Sequence, residues 1–377
     1  AKLMEKGGMA TAIASAIINA FGEKNAIIAV IVGCAVLVYG GLSVFVVAFV
    51  MYPFGAFMFK QAKIPKRLLP ATLWVGIFTF AMVSLPGAPQ IQNIIPATFF
   101  GTNTWSGMGI SLFATILYLL IGWGWITYRA KHLMAGGEGY GTDREKLEVP
   151  DSSDLPSVGM SLIPIVLVVA LNAYFSNPFN QSWCWKWDNN LLQSLVPLKI
   201  SLMVGAVAKV QSIWSLSIAL VIGSLVAAFV GRKEFKKLGG YRAEINTATI
   251  SSCAAILNVC SGFAFAAVLT SLAGFLVIKN APLGVSAGGN PLWSVVLTTT
   301  VMCAITGSSS SGMTIALNML ATQWTQMAQA TGVSLDALHR IVCISSIGID
   351  PVPHCGALVT LLGICGLTHK ESYGDIT

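Results

Sequence analysis

The chain has 377 residues, 55% hydrophobic and only 10% charged, with a net charge of +7 and a mean hydropathy of +0.75. A soluble domain carries about 25% charged residues, so this composition cannot coat a water-facing surface and excludes a soluble globular protein. The basic residues fall in short clusters, KQAKIPKR (60–67), RAKH and REK (within 129–146) and GRKEFKK (231–237), which mark cytoplasmic loops rather than a nucleic-acid surface.

In chain order, residues 1–128 predict a first structural unit. An arm leads into a helix–tip–helix element over 26–59, in which NAIIAVIVGCAVLV is followed by YGGLS (39–43) and VFVVAFVMYPFGAFMF. Each apolar half is short of the roughly 20 residues that span a bilayer, so a re-entrant hairpin is expected. A helix over 71–100 is broken at LPGAPQIQN (85–93). Proline lacks the N–H that the helical ladder needs, and such a break in lipid is tolerated only inside protein or along a wet cavity. MGISLFATILYLLIGWGWITY predicts a spanning helix over 108–128, and the polar stretch 129–158 a cytoplasmic loop.

Residues 159–377 predict a second unit, with helices over 160–175, 212–230 and 247–268. The Trp-rich SWCWKW (182–187) suits a membrane–water interface, and LVPLKISLMVGAVAKV (195–210) is expected to lie along it. A second hairpin over 292–321 carries the tip TGSSSSG, and a second broken helix over 337–367 is interrupted at DPVPHCG (350–356). Asn25 and Asn290, Gly40 and Gly307, and Pro86 and Pro351 pair at an offset of about 266 residues, the signature of an internal repeat. Keeping the basic loops inside makes the second copy inverted. The fold expected is therefore an all-α polytopic membrane protein with inverted-topology repeats, two re-entrant helical hairpins and two broken transmembrane helices. Helices 108–128 and 247–268 lack counterparts, which leads us to expect further or disordered chain at both ends.

Inverted repeats with discontinuous helices point to a secondary transporter. Half-helix N-termini present free N–H groups that suit a carboxylate, while unwound carbonyls and hydroxyls suit a cation. The candidate substrate-binding residues are Gly40, Gly41 and Ser43 at one tip and Thr306, Gly307, Ser308, Ser309, Ser310 and Ser311 at the other. Gly87, Gln90, Gln92 and Asn93 at the first break, and Pro353, His354 and Cys355 at the second, complete the set. Asp350 is a carboxylate inside a predicted core segment, a costly placement that marks function. With His354, which titrates near neutral pH, it is the candidate proton carrier. Plainer readings exist for each: a small-residue packing face for the serines, a kink for the glycines and prolines, a helix cap for Asp350, a core histidine for His354. His339 and Arg340 are expected at the outer entrance of the broken helix. The eight cysteines include no CxxC pair, so neither a disulfide framework nor a metal site is expected, and no catalytic residue or cofactor is expected. An intramembrane serine hydrolase would want a G-x-S-x-G elbow, which the chain lacks. A passive anion channel would favour a ring of subunits.

LPGAPQIQNIIP, TGSSSSGMTIAL and LHRIVCISSIGIDPVPHCGALVTLLGICGLTHKESY resemble the gluconate:proton symporter family, and more closely its branch of hydroxybutyrate-type permeases. The resemblance implies a multi-pass protein of the bacterial inner membrane with a fold similar to the ion-transporter superfamily, often a homodimer. It implies cation-coupled transport of a small hydroxylated carboxylate such as gluconate or 3-hydroxybutyrate, with H+ favoured over Na+. It places Gly307 and Ser308 to Ser311 at one tip, and Pro86, Gly87, Pro89, Gln90, Asp350, Pro353 and His354 at the breaks. Cys355 departs from the family pattern, which has Asn there, and implies a smaller or less hydroxylated anion. The expected function is symport of a small organic anion by alternating access, with sodium-coupled carboxylate transport as the alternative.

Overall fold

The computed structural model describes residues 2–141, 155–188, 190–191, 207–237, 239–272 and 290–376. These form helices and connecting turns, with no strand among them. The arm is α1 (Lys2–Lys6) and α2 (Met9–Phe21). The first helix–tip–helix element is α3 (Ala26–Tyr39) and α4 (Val44–Gln61). The first interrupted helix is α5 (Leu69–Phe78), the single turn α6 (Phe80–Val83) and, beyond a break, α7 (Ile91–Phe100). Then come α8 (Met108–Ala135), α9 (Val158–Ser176), α10 (Val207–Val230), α11 (Arg232–Lys237) and α12 (Arg242–Ser271). The second helix–tip–helix element is α13 (Leu292–Thr306) and α14 (Ser309–Thr331). It is followed by α15 (Leu335–Ser345), a break over 346–355, α16 (Gly356–Cys365) and α17 (His369–Ile376). The order helix, tip, helix, interrupted helix thus occurs twice. Most of the stretch expected at the interface, 192–206, lies outside the described residues, as does 142–154 of the polar loop.

Among the described residues, five helical stretches are long and apolar enough to cross a membrane: Val44–Gln61, Lys66–Val83, Met108–Ala135, Val158–Ser176 and Val210–Val230. Leu112, Phe113, Ile116, Leu117, Leu120 and Ile121 of α8 lie exposed along one another, as do Val221, Leu225 and Phe229 of α10. Apolar faces of this extent are not tolerated in water and fit lipid. The protein is a polytopic α-helical membrane protein.

The centre is α3, apolar on every side and buried on every side (Ala29, Val30, Ile31, Cys34, Leu37, Val38), as a helix without a polar face must be. It packs against α2, α4 and α5. A second core gathers α7, α13, α14 and α15 around Trp324, whose indole N–H donates to Ser294 Oγ at 3.0 Å across the two arms. The arms of this hairpin differ from the expected lengths. α14 runs ten residues past the end of the apolar stretch, because TQWTQMAQAT is polar but rich in helix formers and buries Trp324 and Ala328. Gly332, in the left-handed region at φ +72°, ends it.

A buried ion pair holds the C-terminal end in place. Asp375 is fully buried between Arg67 Nε at 2.9 Å and Arg129 Nε at 2.7 Å, and Ser372 Oγ donates to Arg67 O at 2.6 Å. Part of the basic charge read as a sidedness signal is thus structural.

The arms α13 and α14 cross at Gly312, where a Cβ would lie 2.4 Å from the Cys303 backbone. Backbone cannot yield as a side chain can. Gly312→Val is expected to cost about 3 kcal/mol, lowering the melting temperature in detergent by about 5 °C or more; an unchanged melting curve would mean the arms do not meet there.

Candidate functional site

Both tips and both breaks border one cavity of about 560 Å³. Its polar wall is Ser43, Gln90, Gln92, Thr306, Ser308, Ser309, Ser310, Asp350 and His354; Phe45, Phe78, Met82 and Ile91 form an apolar wall. None of the described residues lining it is a lysine or arginine. Four helices begin at this cavity, and their N-cap residues all line it: Ser43 for α4, Gln90 for α7, Ser308 for α14 and Cys355 for α16. Only Ser308 caps with its side chain, accepting from Ser311 N–H at 3.4 Å. The other three N-termini have no side-chain cap. Each carries about half a positive elementary charge and unpaired N–H groups toward the cavity.

Tip and break are joined directly. Gln92 Nε2 donates to Ser309 Oγ at 3.1 Å, and the Gln92 carbonyl accepts from Cys343 Sγ at 3.2 Å. At the second break Asp350 is 3% exposed. Its carboxylate lies beside the Ser309 backbone, and Oδ1 has no hydrogen-bond partner. No ion pair reaches Asp350 among the described residues. A buried carboxylate with an unfilled oxygen wants a proton or a cation. His354 is exposed and lies over the serine tip, with Nε2 at 3.3 Å from Ile305 O. Gly307, at φ +60°, makes this approach feasible: a Cβ there would meet the His354 ring at 2.7 Å.

Several candidate residues lie elsewhere. Gly40 and Gly41 border a separate small space under Pro164, Val168 and Leu220. Gly87 is tied to α9 and α8's approach loop, its carbonyl accepting from Asn172 Nδ2 at 3.3 Å and its N–H donating to Thr104 O at 2.9 Å. Asn93 faces away from the cavity, donating to Met82 O at 3.1 Å and accepting from Arg340. Ser311 serves the Ser308 cap. Pro353 is exposed, and its carbonyl takes the His369 ring at 3.0 Å. Gln90 reaches the cavity but gives its amide to Val38 O at 2.8 Å and Leu42 O at 3.3 Å, while Tyr39 OH donates to Pro86 O at 2.8 Å. It holds the end of α3 against the break.

The expectation for His339 and Arg340 fails. Both are fully buried, His339 with Nδ1 at 2.7 Å from Thr102 Oγ1 and Arg340 inside a shell of carbonyls. An ionisable residue in an apolar segment was the available signal, the same that singled out Asp350. The apolar wall was also missed, because Phe45, Phe78 and Met82 read as ordinary core.

The sequence profile of the GntP family permeases matches residues 1–371. The chain belongs to the GntP permease family. This permease is 36% identical over 387 residues to an uncharacterized transporter of Bacillus subtilis (strain 168), YxjC, across all of its own length and 79% of the relative's. No solved structure matches it. Membership makes it a membrane transporter rather than an enzyme, so the serine tip is not a hydrolase nucleophile.

Gln90 supplies donors that a carboxylate lacks. In this permease Gln90→Glu sets a carboxylate against two carbonyls and is expected to cost about 1–3 kcal/mol of stability, read by thermal melting in detergent; a variant as stable as the parent would place Gln90's amide elsewhere.

Proposed function

We propose that this permease is a secondary active transporter of the bacterial inner membrane that takes up a small organic monocarboxylate by cation symport, with the cavity between the tips and breaks as its substrate site. The supporting observation is the convergence of four helix N-termini on one cavity that also holds a buried, unpaired carboxylate. A carboxylate leaving water loses several kcal/mol of hydration. Uncapped N-termini in partly buried geometry return up to about 2 kcal/mol each, and hydrogen bonds to a charged group about 1.5–3 kcal/mol each. Three or four such ends offset the loss without a fixed side-chain cation in the wall. Ser310 supplies a donor for a substrate hydroxyl, Thr306 and Ser308, whose protons are already given within the tip, supply acceptors, and the Phe45–Phe78–Met82 wall suits a short carbon chain. Gluconate and 3-hydroxybutyrate are the first compounds to try, and the apolar wall favours the second.

Asp350 gives the coupling chemistry. An empty cavity holding an ionised Asp350 is unfavourable, and a cavity holding that carboxylate beside a substrate carboxylate is more so. Adding a proton to Asp350 removes the conflict, so anion and proton enter together. His354 then serves as the exposed group through which the proton reaches the site. We read the two helix–tip–helix and broken-helix elements as an inverted pair whose rocking exposes the cavity to either side.

Uptake of radiolabelled 3-hydroxybutyrate and gluconate into proteoliposomes, under an imposed pH gradient and then a Na+ gradient, tests this. Accumulation is expected with the pH gradient. Asp350→Asn is expected to lose gradient-driven accumulation at least tenfold while exchange across the membrane stays within about threefold of the parent. Accumulation driven by Na+ alone would replace the proton with sodium at Asp350, and undiminished driven uptake by Asp350→Asn would refute its role. Ser310→Ala, which removes one donor, is expected to raise the half-saturation concentration about threefold to tenfold.

A further inference from the structure

Arg340 is fully exposed to protein and not at all to solvent. It sits in the first half of the second interrupted helix, α15. Its five N–H groups are all used. Nε donates to Ser106 O at 3.1 Å; Nη1 donates to Val83 O at 2.8 Å and to Asn93 Oδ1 at 2.7 Å; Nη2 donates to Thr104 O and Ser106 O, each at 3.0 Å. Val83 ends α6 on one side of the first break, and Asn93 lies in the first turn of α7 on the other. One guanidinium thus clasps both lips of the first break to the second interrupted helix. The residues next to its partners, Met82 and Gln92, line the cavity.

No ion pair to Arg340 exists among the described residues; every acceptor is neutral. Breaking up or burying an unpaired charge is costly, and neutral packing would hold two helices together at lower cost. A positive charge retained directly behind a wall that itself contains no lysine or arginine needs a use beyond packing. Arginine is also specifically required by the geometry: lysine would keep the charge but offers three donors from one atom, where four acceptors on three chain segments must be met.

We propose, on the reading that the cavity is the anion site, that Arg340 is a positioning residue for transport. It fixes the direction of the α7 N-terminus relative to the second break, and its uncompensated charge adds to the potential that holds the substrate carboxylate. The two effects separate by substitution. Arg340→Lys keeps the charge and loses the fork. Asn93→Asp keeps the fork and cancels the charge with a facing carboxylate.

The test measures initial uptake of radiolabelled 3-hydroxybutyrate and gluconate by proteoliposomes, together with thermal melting. Arg340→Lys is expected to raise the half-saturation concentration at least tenfold with the maximal rate within about threefold. Asn93→Asp loses the donor to Met82 O but gains an ion pair with Arg340; it is expected to raise the half-saturation concentration at least fivefold while melting within about 3 °C of the parent, a combination that loss of packing does not produce. Wild-type half-saturation in both variants overturns the proposal. If Arg340→Lys does not fold, Asn93→Asp decides alone, because it leaves every Arg340 hydrogen bond available. If the parent accumulates neither compound, it is the substrate reading that fails. Hydrogen exchange over residues 84–93 then decides for Arg340: about a tenfold rise in Arg340→Lys supports the clasp, and unchanged exchange overturns it.

Discussion

A helix interrupted inside a bilayer leaves N–H and C=O groups that lipid cannot satisfy. In this permease the two kinds of end are treated differently. The carbonyl ends are closed by protein donors: Gln90 on Val38 and Leu42, Arg340 on Val83, Asn93 on Met82, Ser111 on Ser84, and Thr300 on Ser345. The amino ends of α4, α7 and α16 carry no side-chain cap and face one cavity. Closing these carbonyl ends and leaving three amino ends without a side-chain cap gives the cavity, on our proposal, an electrostatic preference for anions built largely from backbone. The polar side chains near the breaks are therefore chiefly scaffolding, and the transported carboxylate is, on our proposal, the missing partner of the open ends.

Such a site needs a counterweight, since a permanently positive cavity would hold its anion and not release it. On our proposal Asp350 supplies it: buried beside the Ser309 backbone with Oδ1 unfilled, it would compete with the substrate for the same positive ends when ionised and yield to it when protonated. Placing this carboxylate at the junction of the serine tip and the second break ties its protonation to the hairpin and to the first interrupted helix through the Gln92–Ser309 bond. That chain of contacts is short, and it joins Asp350 to the starts of α14 and α7.

The sequence made the architecture legible because its signals are local. Glycines and prolines inside apolar runs marked both tips and both breaks within a few residues, and the serine run and Asp350 fell where the two sets meet. What was not legible depends on partners distant in the chain. Asn93 and Gln90 read as ligand amides, since nothing in PGAPQIQN says that one faces Met82 and Arg340 and the other the end of α3. Arg340 read as an entrance residue because its acceptors, at 83, 93, 104 and 106, are brought together only by folding. The length of α14 was underestimated because its second half is polar yet packs Trp324 against α13.

The central claim is that the four helix starts surround the substrate. Val44, Ile91, Ser310 and Ala357 each lie in the first turn of one of them, and each lines the cavity. In a cysteine-free background, a single cysteine at each position can be titrated with a maleimide in the presence and absence of saturating 3-hydroxybutyrate or gluconate. The account predicts that the transported compound slows labelling at all four positions. Labelling that proceeds at the same rate with and without that compound at these helix starts would contradict it.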